Sequence, residues 1–342
     1  MRTYTNKNKF FGEQIDILLK DKLKKEKGNK GDLCDIDYVY RFNHKQCKIT
    51  SQLARSEILG NKWDQYENYV NWCMENNKKK YLNFIPTTYK LDKRNLDKKI
   101  LEDLFKSNKK WIVKPINGSF RAGIHVVKDY NGLINWMNQY INVHWILQDY
   151  IDNPLKIENK KFNFRIYFLL IKTKDYSQVL IFNKGYMFLS QKEYDDSSLD
   201  DDSNLSGGDS KEVMRLYPNI FIKNFGYKNY KNVLKQINDI VKYTMVSTID
   251  KLTCVNVNKE NYKCYKLLGY DILIDKNYKC HLGEINSRTV NVKFPIKNMY
   301  ENLIKIILLD GPINNEKLFE ENLNWYSVLK KIHNKKISKK NT

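Results

Sequence analysis

The fold is decided by the stretch Lys160-Lys-Phe-Asn-Phe-Arg-Ile-Tyr-Phe-Leu-Leu-Ile171. Side chains two residues apart share one face of a strand, so Lys161, Asn163 and Arg165 would point to the same side. The residues between them are apolar and an unbroken apolar run follows, which predicts a strand buried on both faces. Burying two cations and an amide is costly unless each finds a partner, so the strand predicts a bound ligand that pairs with them. The alternative, a solvent-facing side of the strand, accounts for each residue taken singly.

Upstream of this strand, a glycine-bearing loop predicts phosphate binding. The segment Trp111-Ile-Val-Lys-Pro-Ile-Asn-Gly-Ser-Phe-Arg-Ala-Gly-Ile124 places Lys114 on a short strand and Arg121 in the loop that follows. Backbone N–H groups of such a loop can bind phosphate oxygens, while the lysine supplies a point charge. The Gly-Lys-Ser/Thr sequence of a Walker loop is missing. A plain hairpin turn is the alternative for this segment considered alone.

Downstream, a hairpin predicts a magnesium site. A two-residue turn at Lys276-Asn277 would place Asp271 opposite Leu282, with Glu284 and Asn286 on the same face. Hard oxygen ligands that converge beside phosphate-binding lysines are typical of a Mg²⁺-nucleotide site. Polar residues on the exposed face of an edge hairpin are the alternative for any one of them.

The order of the remaining elements predicts a mixed α/β fold of the α+β type. Short strands alternate with helices up to about residue 148, and mainly antiparallel strands follow. Residues 193–212 carry many acidic side chains among Ser and Gly. Because such a segment buries little apolar surface, we expect a mobile acidic loop there rather than a regular element.

Composition narrows the class of protein. The chain has 342 residues and a net charge of +21, which favours anionic partners, although a solvated lysine surface is an equal alternative. Its six cysteines form no CxxC pair and its five histidines lack zinc-finger spacing, so we expect reduced thiols and no zinc site. The N-terminus lacks the apolar stretch of a signal peptide, and no apolar run is long enough to span a membrane. A soluble cytoplasmic protein is the expectation.

The three segments together resemble the ATP-grasp core of the tubulin–tyrosine ligase-like family. The resemblance rests on the motifs Trp111-Ile-Val-Lys-Pro, Gln148-Asp-Tyr-Ile-Asp-Asn-Pro-Leu-Lys-Ile, Lys161-Phe-Asn-Phe-Arg, Asp271-Ile-Leu-Ile-Asp and Glu284-Ile-Asn, which cover residues 111–286 in the family's order. No single motif is specific, but the ordered set is.

The resemblance implies an ATP-grasp fold with mainly antiparallel sheets, in which the nucleotide is held between central and C-terminal subdomains. A small N-terminal domain would precede them. The implied boundaries are 1–90 for the N-terminal domain, 91–150 for the central subdomain, 151–329 for the C-terminal subdomain with its acidic loop at 193–212, and 330–342 for a basic tail.

The resemblance also implies the roles of individual residues. The implied ATP-binding residues are Lys114, Ser119, Arg121, Gly123, Gln148, Tyr150, Ile151, Lys161 and Asn163. Among them, Lys114 and Lys161 would bind phosphates, Gln148 to Ile151 would follow the adenine, and Asn163 would lie near the ribose. The implied catalytic residues are Arg165, at the transferring phosphate, and Glu284. The implied Mg²⁺ ligands are Asp271, Glu284 and Asn286.

The chemistry implied is ATP-dependent activation of a carboxylate as an acyl phosphate, followed by attack of an amino acid's amine. The acceptor would be an acidic protein tail, tubulin or something like it, and the second substrate a free amino acid. Catalysis of this kind depends mostly on positioning and charge neutralisation. A non-catalytic or impaired ATP-grasp protein that binds acidic tails or nucleic acid is the alternative. Nucleic acid is less favoured, because lysine rather than arginine supplies the charge.

Three positions depart from the family pattern, and one of them is Ser287, which follows Asn286 where the family usually has a proline. Asn163 stands where the family usually has an aspartate, which weakens the expected ribose contact. Phe188 stands where the family has an arginine that reaches phosphate or substrate, so one cation is missing from the expected catalytic face.

Overall fold

The computed structural model describes residues 3–6, 24–25, 33–35, 49–51, 53–92, 97–107, 109–118, 121–206, 214–255, 262–287, 298–320 and 322–333. The strands are β1 (Thr3–Asn6), β2 (Lys24–Lys25), β3 (Leu33–Asp35), β4 (Ile49–Thr50), β5 (Leu53–Ala54), β6 (Thr88–Leu91), β7 (Trp111–Pro115), β8 (His125–Val127), β9 (Trp145–Asp149), β10 (Lys156–Ile157), β11 (Lys160–Thr173), β12 (Tyr176–Leu189), β13 (Met214–Tyr217), β14 (Thr253–Cys254), β15 (Lys263–Ile274), β16 (Cys280–Asn286) and β17 (Trp325–Ile332). The α-helices are α1 (Glu57–Gly60), α2 (Lys62–Glu75), α3 (Lys98–Phe105), α4 (Tyr130–Asn138), α5 (Asp201–Asn204), α6 (Asn219–Val246), α7 (Met299–Leu308) and α8 (Asn315–Glu320). Short 3₁₀ helices span Lys79–Phe84 and Ile249–Lys251.

A large sheet is built around β11. Its strand order is β13-β12-β11-β15-β4-β3-β1-β2, with β10, β16 and β17 paired to β11, β15 and β12. The long strands β11, β12, β15 and β16 pair antiparallel. Parallel pairs in the described part involve the short strands β1 to β4, including the pair of β4 with β15. The expected mixed α/β fold with mainly antiparallel strands is confirmed.

The predicted burial of β11 on both faces is also confirmed. Phe164 and Phe168 lie in one apolar core, together with the buried face of α6. Tyr167 and Leu169 lie in a second core, under α7. The polar residues at the start of the strand share the face of this second core, but they precede the part that α7 covers. That end of the face is therefore available to line a cleft.

A second, four-stranded sheet faces the start of β11. Its order is β6-β9-β7-β8 and all its pairs are antiparallel. Trp111 and Val113 of β7 pack on one side, in a core with α3 and α4. Because side chains alternate, Ile112 and Lys114 point to the other side, towards the large sheet.

The hairpin of β15 and β16 differs from its predicted form. The strands are joined by residues 275–279, where the Asp275 carboxylate accepts hydrogen bonds from the backbone N–H groups of Asn277 and Lys279. The prediction of a two-residue turn, with Asp271 opposite Leu282, is therefore wrong. A bulge at Gly283 places Asp271 opposite Glu284. Such an Asx turn and a bulge are local devices that strand periodicity does not reveal.

The acidic segment contains a short helix and an isolated bridge within residues 193–206. The Asp200 side chain accepts a hydrogen bond from the backbone N–H of Asp202 and so caps the short helix α5. An isolated bridge pairs Ser190 with Ser206. The expectation of a loop without a regular element is wrong for residues 201–204, which form α5. Residues 193–200 form no helix or strand, and residues 207–212 lie outside the described part.

The C-terminal half includes the long helix α6 and the strand β17. Helix α6 is kinked at Gly226, where φ is 81°. A side chain would be strained there, so glycine suits this position. Strand β17 includes residues 330–332 of the predicted basic tail, and residues 334–342 lie outside the described part. None of the described helices combines the length and apolar character needed to cross a membrane.

One cysteine pair departs from the expected reduced state. Cys254 in β14 and Cys264 in β15 form a disulfide, with their Cα atoms 5.8 Å apart. Cys73 and Cys280 are buried free thiols, as expected. A separation of ten residues carries no disulfide signature in the sequence, because the two strands are brought together only by the fold.

Candidate active site

A cleft of ≈ 820 Å³, open to solvent, lies between the two sheets. The predicted site residues that line it are Lys114, Arg121, Gln148, Tyr150, Ile151, Lys161, Asn163, Asp271 and Glu284. The fold thus brings together side chains that lie up to 170 residues apart in the sequence.

Lys114 enters the cleft from β7 and is buried. Its ammonium group donates to the Gln148 side-chain oxygen at 2.8 Å, and the Gln148 amide donates to the Thr88 hydroxyl at 2.8 Å. Burial lowers the pKa of Lys114 from 10.5 to about 8, although Glu284 acts in the opposite direction. No described carboxylate forms a salt bridge with it, so the charged form gains from any anion that enters the cleft.

Lys161 enters from the opposite side, on β11. Its ammonium group lies 3.7 Å from the centre of the Tyr150 ring, a cation–π contact. Burial lowers the pKa of Lys161 well below its usual value, and Lys114 and Lys110 lower it further. Like Lys114, it makes no salt bridge with a described carboxylate. Two buried amines without anionic partners therefore face one cavity.

Asn163 carries a buried acceptor without a partner. Its side-chain oxygen makes no hydrogen bond within the described part of the chain. A buried, unpaired amide oxygen costs about 1–3 kcal/mol. Since Asn163 also lines the cleft, a ligand hydroxyl or N–H group that donates to this oxygen would remove the cost.

Acidic side chains meet at the edge of the cleft formed by β15 and β16. Arg165 makes a two-pronged ion pair with Asp271, with Nε–Oδ1 at 2.5 Å and Nη2–Oδ2 at 2.9 Å. The Asn286 amide donates to Asp271 Oδ2 at 3.2 Å, and Glu284 lies 3.4 Å from the Lys62 ammonium group. Asp271 and Glu284 line the cleft, and we call their position the cleft corner. Arg165 and Asn286 are not among the residues that line it, but both contact Asp271.

The two carboxylates of this corner differ in acidity. Burial raises the pKa of Asp271, and Glu284 raises it further, although Arg165 acts in the opposite direction. Burial would also raise the pKa of Glu284, but Lys62, Lys114 and Arg165 together hold it below its usual value. Glu284 is thus the carboxylate whose charged form the site favours most.

The donor set fits Mg²⁺ and a nucleotide. Mg²⁺ prefers oxygen ligands and usually takes one or two carboxylates plus phosphate oxygens. Within the described residues, no three His, Cys, Asp or Glu side chains are grouped to hold a metal alone. Two carboxylates beside two unpaired buried amines match a metal that is bound jointly by protein and phosphate.

The acidic segment packs against the mouth of this cleft. The Tyr150 hydroxyl donates to the Asn204 backbone oxygen at 2.8 Å, and Lys110 donates to the Asn204 side-chain oxygen at 3.2 Å. Leu205 belongs to a small apolar cluster with Ile112. Sequence patterns did not identify these contributions, since they depend on the segment folding back over residues that are distant in the chain.

The loop between β7 and β8 is tied to the same segment. Arg121 donates to the Asp201 backbone oxygen at 3.0 Å, and His125 lies 3.0 Å from the Asp201 carboxylate. Gly123 does not line the cleft: it has a φ of 75°, and a Cβ atom there would meet Pro115 at 2.8 Å, so it shapes the loop. The predicted binding residue Ser119 lies outside the described residues.

The sequence patterns did not identify Lys62, a charged residue that lies beside Glu284. It is buried at the start of α2, and its ammonium group donates to the Gly118 backbone oxygen at 3.3 Å in addition to its contact with Glu284. The available signal is the N-cap residue Asn61, which fixes where the helix begins. In a chain with 52 lysines, that signal does not distinguish Lys62 from its neighbours.

Comparison with known families identifies most of the chain. The model of the tubulin-tyrosine ligase family matches residues 42–207 and 211–318. The match includes every cleft residue named above.

Individual relatives are more distant. Tubulin glycylase 3F of Tetrahymena thermophila is 25% identical over 202 residues, which are 52% of this chain and 21% of the relative. A probable alpha-tubulin polyglutamylase of the same organism is 25% identical over 74% of this chain and 70% of its own length. An inactive polyglycylase of Homo sapiens is 25% identical over 60% of this chain and 34% of its own. The chain thus spans about one fifth of the glycylase that it matches.

Proposed function

The chain belongs to the tubulin-tyrosine ligase family, and on this basis we propose that it is an ATP- and Mg²⁺-dependent ligase that joins an amino acid to an acidic protein tail. Its acceptor in this proposal is tubulin or a similar protein, which implies action in the cytoplasm. Support for the acceptor comes from the names of its relatives, which include tubulin glycylases and a probable tubulin polyglutamylase.

One observation carries the proposal. Lys114 and Lys161 are buried amines with lowered pKa values and no carboxylate partner among the described residues, and they face the same cleft as Asp271 and Glu284. A polyphosphate would satisfy the amines, and Asp271 and Glu284 would hold a Mg²⁺ ion that supplies the positive charge they lack. A purely structural cluster would instead pair its cations with its acids inside the protein.

In this proposal each side chain has a physical role in the reaction. Lys114 and Lys161 hold the phosphates, and the unpaired Asn163 oxygen accepts from a ribose hydroxyl. Asp271 and Glu284 would hold Mg²⁺, which when bound neutralises phosphate charge. Arg165 orients Asp271 and adds positive charge beside it, so that phosphoryl transfer is favoured by preorganised electrostatics.

The proposed reaction has two steps, formation of an acyl phosphate and formation of the new amide bond. An acceptor carboxylate oxygen attacks the γ-phosphorus, and the bond to ADP breaks, which gives an acyl phosphate. The amino acid's amine then attacks the acyl carbon, loses a proton and expels inorganic phosphate. A peptide or isopeptide bond is formed at the cost of one ATP.

A second candidate is nucleotide-dependent binding of an acidic tail without ligation. It is favoured by Phe188, whose ring lies 5.6 Å from the Arg165 guanidinium, where the family resemblance leads one to expect a second cation. Ligation and binding differ in one measurable respect, the appearance of a covalent adduct.

Mass spectrometry of the acceptor tests the proposal. The protein is incubated with tubulin, Mg-ATP and isotopically labelled glycine, glutamate and tyrosine, and the tail peptides are analysed. We expect a mass increase of one labelled residue or more, dependent on ATP and absent with Glu284→Gln. Glu102→Gln, which changes an exposed carboxylate on α3, is the matched control and should retain the increase. ATP binding without any adduct would support the second candidate instead.

A further inference from the structure

The register of the large sheet extends the cleft corner sideways, from β16 and β15 onto β12. Side chains that pair across neighbouring antiparallel strands lie on the same face. One row of such neighbours runs from β12 to β16 and consists of Tyr186, Arg165, Asp271 and Glu284. In the adjacent row, Phe188 is the partner of Asn163. Both aromatic side chains therefore lie on the face that carries the cleft residues, and Arg165 separates them from the carboxylates.

This part of the face is apolar. Tyr186 is 6% exposed and belongs to the second core, and the half-buried Phe188 packs against the same core. Leu216 of β13 is the cross-strand partner of Tyr186 and is 57% exposed. We call Tyr186, Phe188 and Leu216 the apolar shelf; none of the three lines the cleft itself. Covering such a surface with an apolar group is favourable, in proportion to the area removed from water.

Arg165 connects the apolar shelf to the cleft corner. Its guanidinium lies 5.6 Å from the centre of the Phe188 ring, and its side chain is 24% exposed. The Nε and Nη2 atoms donate to Asp271, whereas Nη1 makes no hydrogen bond within the described part of the chain. Because a guanidinium has five N–H donors, Nη1 remains available to bind one carboxylate.

The same surroundings disfavour a second carboxylate on the ligand. Arg165 is the one lysine or arginine in the two rows of cross-strand neighbours, whose second row is completed by Leu273 and His281. The ammonium group of Lys62 is already paired with Glu284. A side-chain carboxylate on the shelf would lose water without gaining a cation, and it would lie near the negative charge of Asp271.

We propose that Arg165 and the apolar shelf bind the amino acid that is ligated, with its α-carboxylate on Nη1 and a large apolar side chain on the shelf. The inference rests on the proposed ligase function, which places the acyl phosphate at the cleft corner. Because the α-carboxylate and the α-amine share one carbon atom, a carboxylate held by Arg165 keeps the amine beside that corner. The substrate class is therefore amino acids with large aliphatic or aromatic side chains, rather than glutamate or glycine.

Competition between labelled amino acids tests this substrate class. The protein is incubated with tubulin, Mg-ATP and equal concentrations of labelled tyrosine, leucine, glycine and glutamate. We expect tyrosine and leucine each to exceed the other two by about tenfold or more, since a single methylene group in an apolar pocket already changes selection by about that factor. Preferred use of glutamate or glycine would overturn the inference.

Two variants separate a binding role of the shelf from a structural one. Phe188→Ala should lower the ratio of tyrosine to glycine about tenfold, because glycine has no side chain to reach the shelf; an equal loss for all amino acids would show a structural role and overturn the inference. Leu216→Lys should raise the use of glutamate relative to leucine about fivefold. The control Ile141→Lys, at a side chain that is 86% exposed and outside the shelf, should leave this ratio unchanged; the same shift in both variants would contradict the assignment.

Amino-acid binding without an acceptor distinguishes this inference from the proposed function. Calorimetry is performed with Mg²⁺ and a non-hydrolysable ATP analogue, and tyrosine should bind about tenfold more tightly than glutamate in the wild type but not in Phe188→Ala. If this is observed and no adduct forms on any acceptor, the shelf stands and the ligase proposal fails. If ligation is detected with glutamate preferred, the ligase proposal stands and the shelf fails. Equal binding of the two amino acids, or binding of neither, would also overturn the inference.

Discussion

Replacing Lys114 with methionine is expected to stabilise the free protein and to abolish its response to Mg-ATP. Burial lowers the pKa of this lysine from 10.5 to about 8. The difference corresponds to about 3 kcal/mol by which holding the charged amine in the cleft reduces stability at pH 7. The substitution also leaves the Gln148 side-chain oxygen without its donor, which costs about 1 kcal/mol. Lys114→Met should therefore be more stable than the wild type by about 2 kcal/mol.

The pH dependence of the free energy of unfolding tests the same prediction in a second way. Because folding lowers the pKa of Lys114, the unfolded chain binds more protons between pH 8 and 10.5, and the contribution of this lysine to stability rises with pH across that window. The rise should be smaller in Lys114→Met.

Wild type and Lys114→Met are compared by denaturant titration at pH 8 and at pH 10.5. They are also compared by thermal unfolding at pH 7 with and without Mg-ATP. Mg-ATP raises the melting temperature of the wild type by mass action in this account. The exposed substitution Lys99→Met is the control and should change neither property. A Lys114→Met protein that is less stable than the wild type at pH 7 would show that the buried charge does not destabilise the fold, and equal stabilisation by Mg-ATP would show that Lys114 does not bind the nucleotide.

Three further substitutions examine other parts of the cleft. Asn163→Leu removes an unpaired buried oxygen, so it should leave the melting temperature unchanged or higher while weakening ATP binding about tenfold in calorimetry; unchanged affinity would argue against a ribose contact. Glu284→Gln should abolish the effect of Mg²⁺ on ATP affinity, since the amide is a poorer ligand for a hard cation; a retained effect would place the metal elsewhere. Phe188→Arg puts a second guanidinium beside Arg165, so it should lower the melting temperature of the free protein and increase the gain from Mg-ATP; a smaller gain than in the wild type would exclude a phosphate near residue 188.

The strands that carry the cleft residues could be predicted because their patterns are local. In β11, alternation places Lys161 and Asn163 on one face, and the apolar run beyond them predicts burial of both faces, as the two cores confirm. The antiparallel character of the second half followed from the same kind of pattern. The order of the motifs identified the family, which the match over residues 42–207 and 211–318 confirms.

Features that depend on tertiary contacts could not be predicted in this way. The predicted register of the hairpin failed because the Asp275 turn and the bulge at Gly283 change the count between strands, yet both carboxylates still reach the cleft. Lys62 contacts Glu284 only because α1, the short helix that precedes it, packs beside β16. The acidic segment gains order through its contacts with Tyr150 and Arg121, which lie far away in the sequence.

The route of one oxygen atom shows whether ligation proceeds through an acyl phosphate. An acidic acceptor peptide with oxygen-18 in its carboxylates is incubated with the protein, Mg-ATP and an amino acid, and the released phosphate is analysed by mass spectrometry. Activation through an acyl phosphate predicts one oxygen-18 atom in each phosphate released during ligation, because the acceptor oxygen leaves with the phosphate. Ligation that releases only unlabelled phosphate would contradict the mechanism, and ATP binding without labelled phosphate or adduct would contradict the ligase function itself.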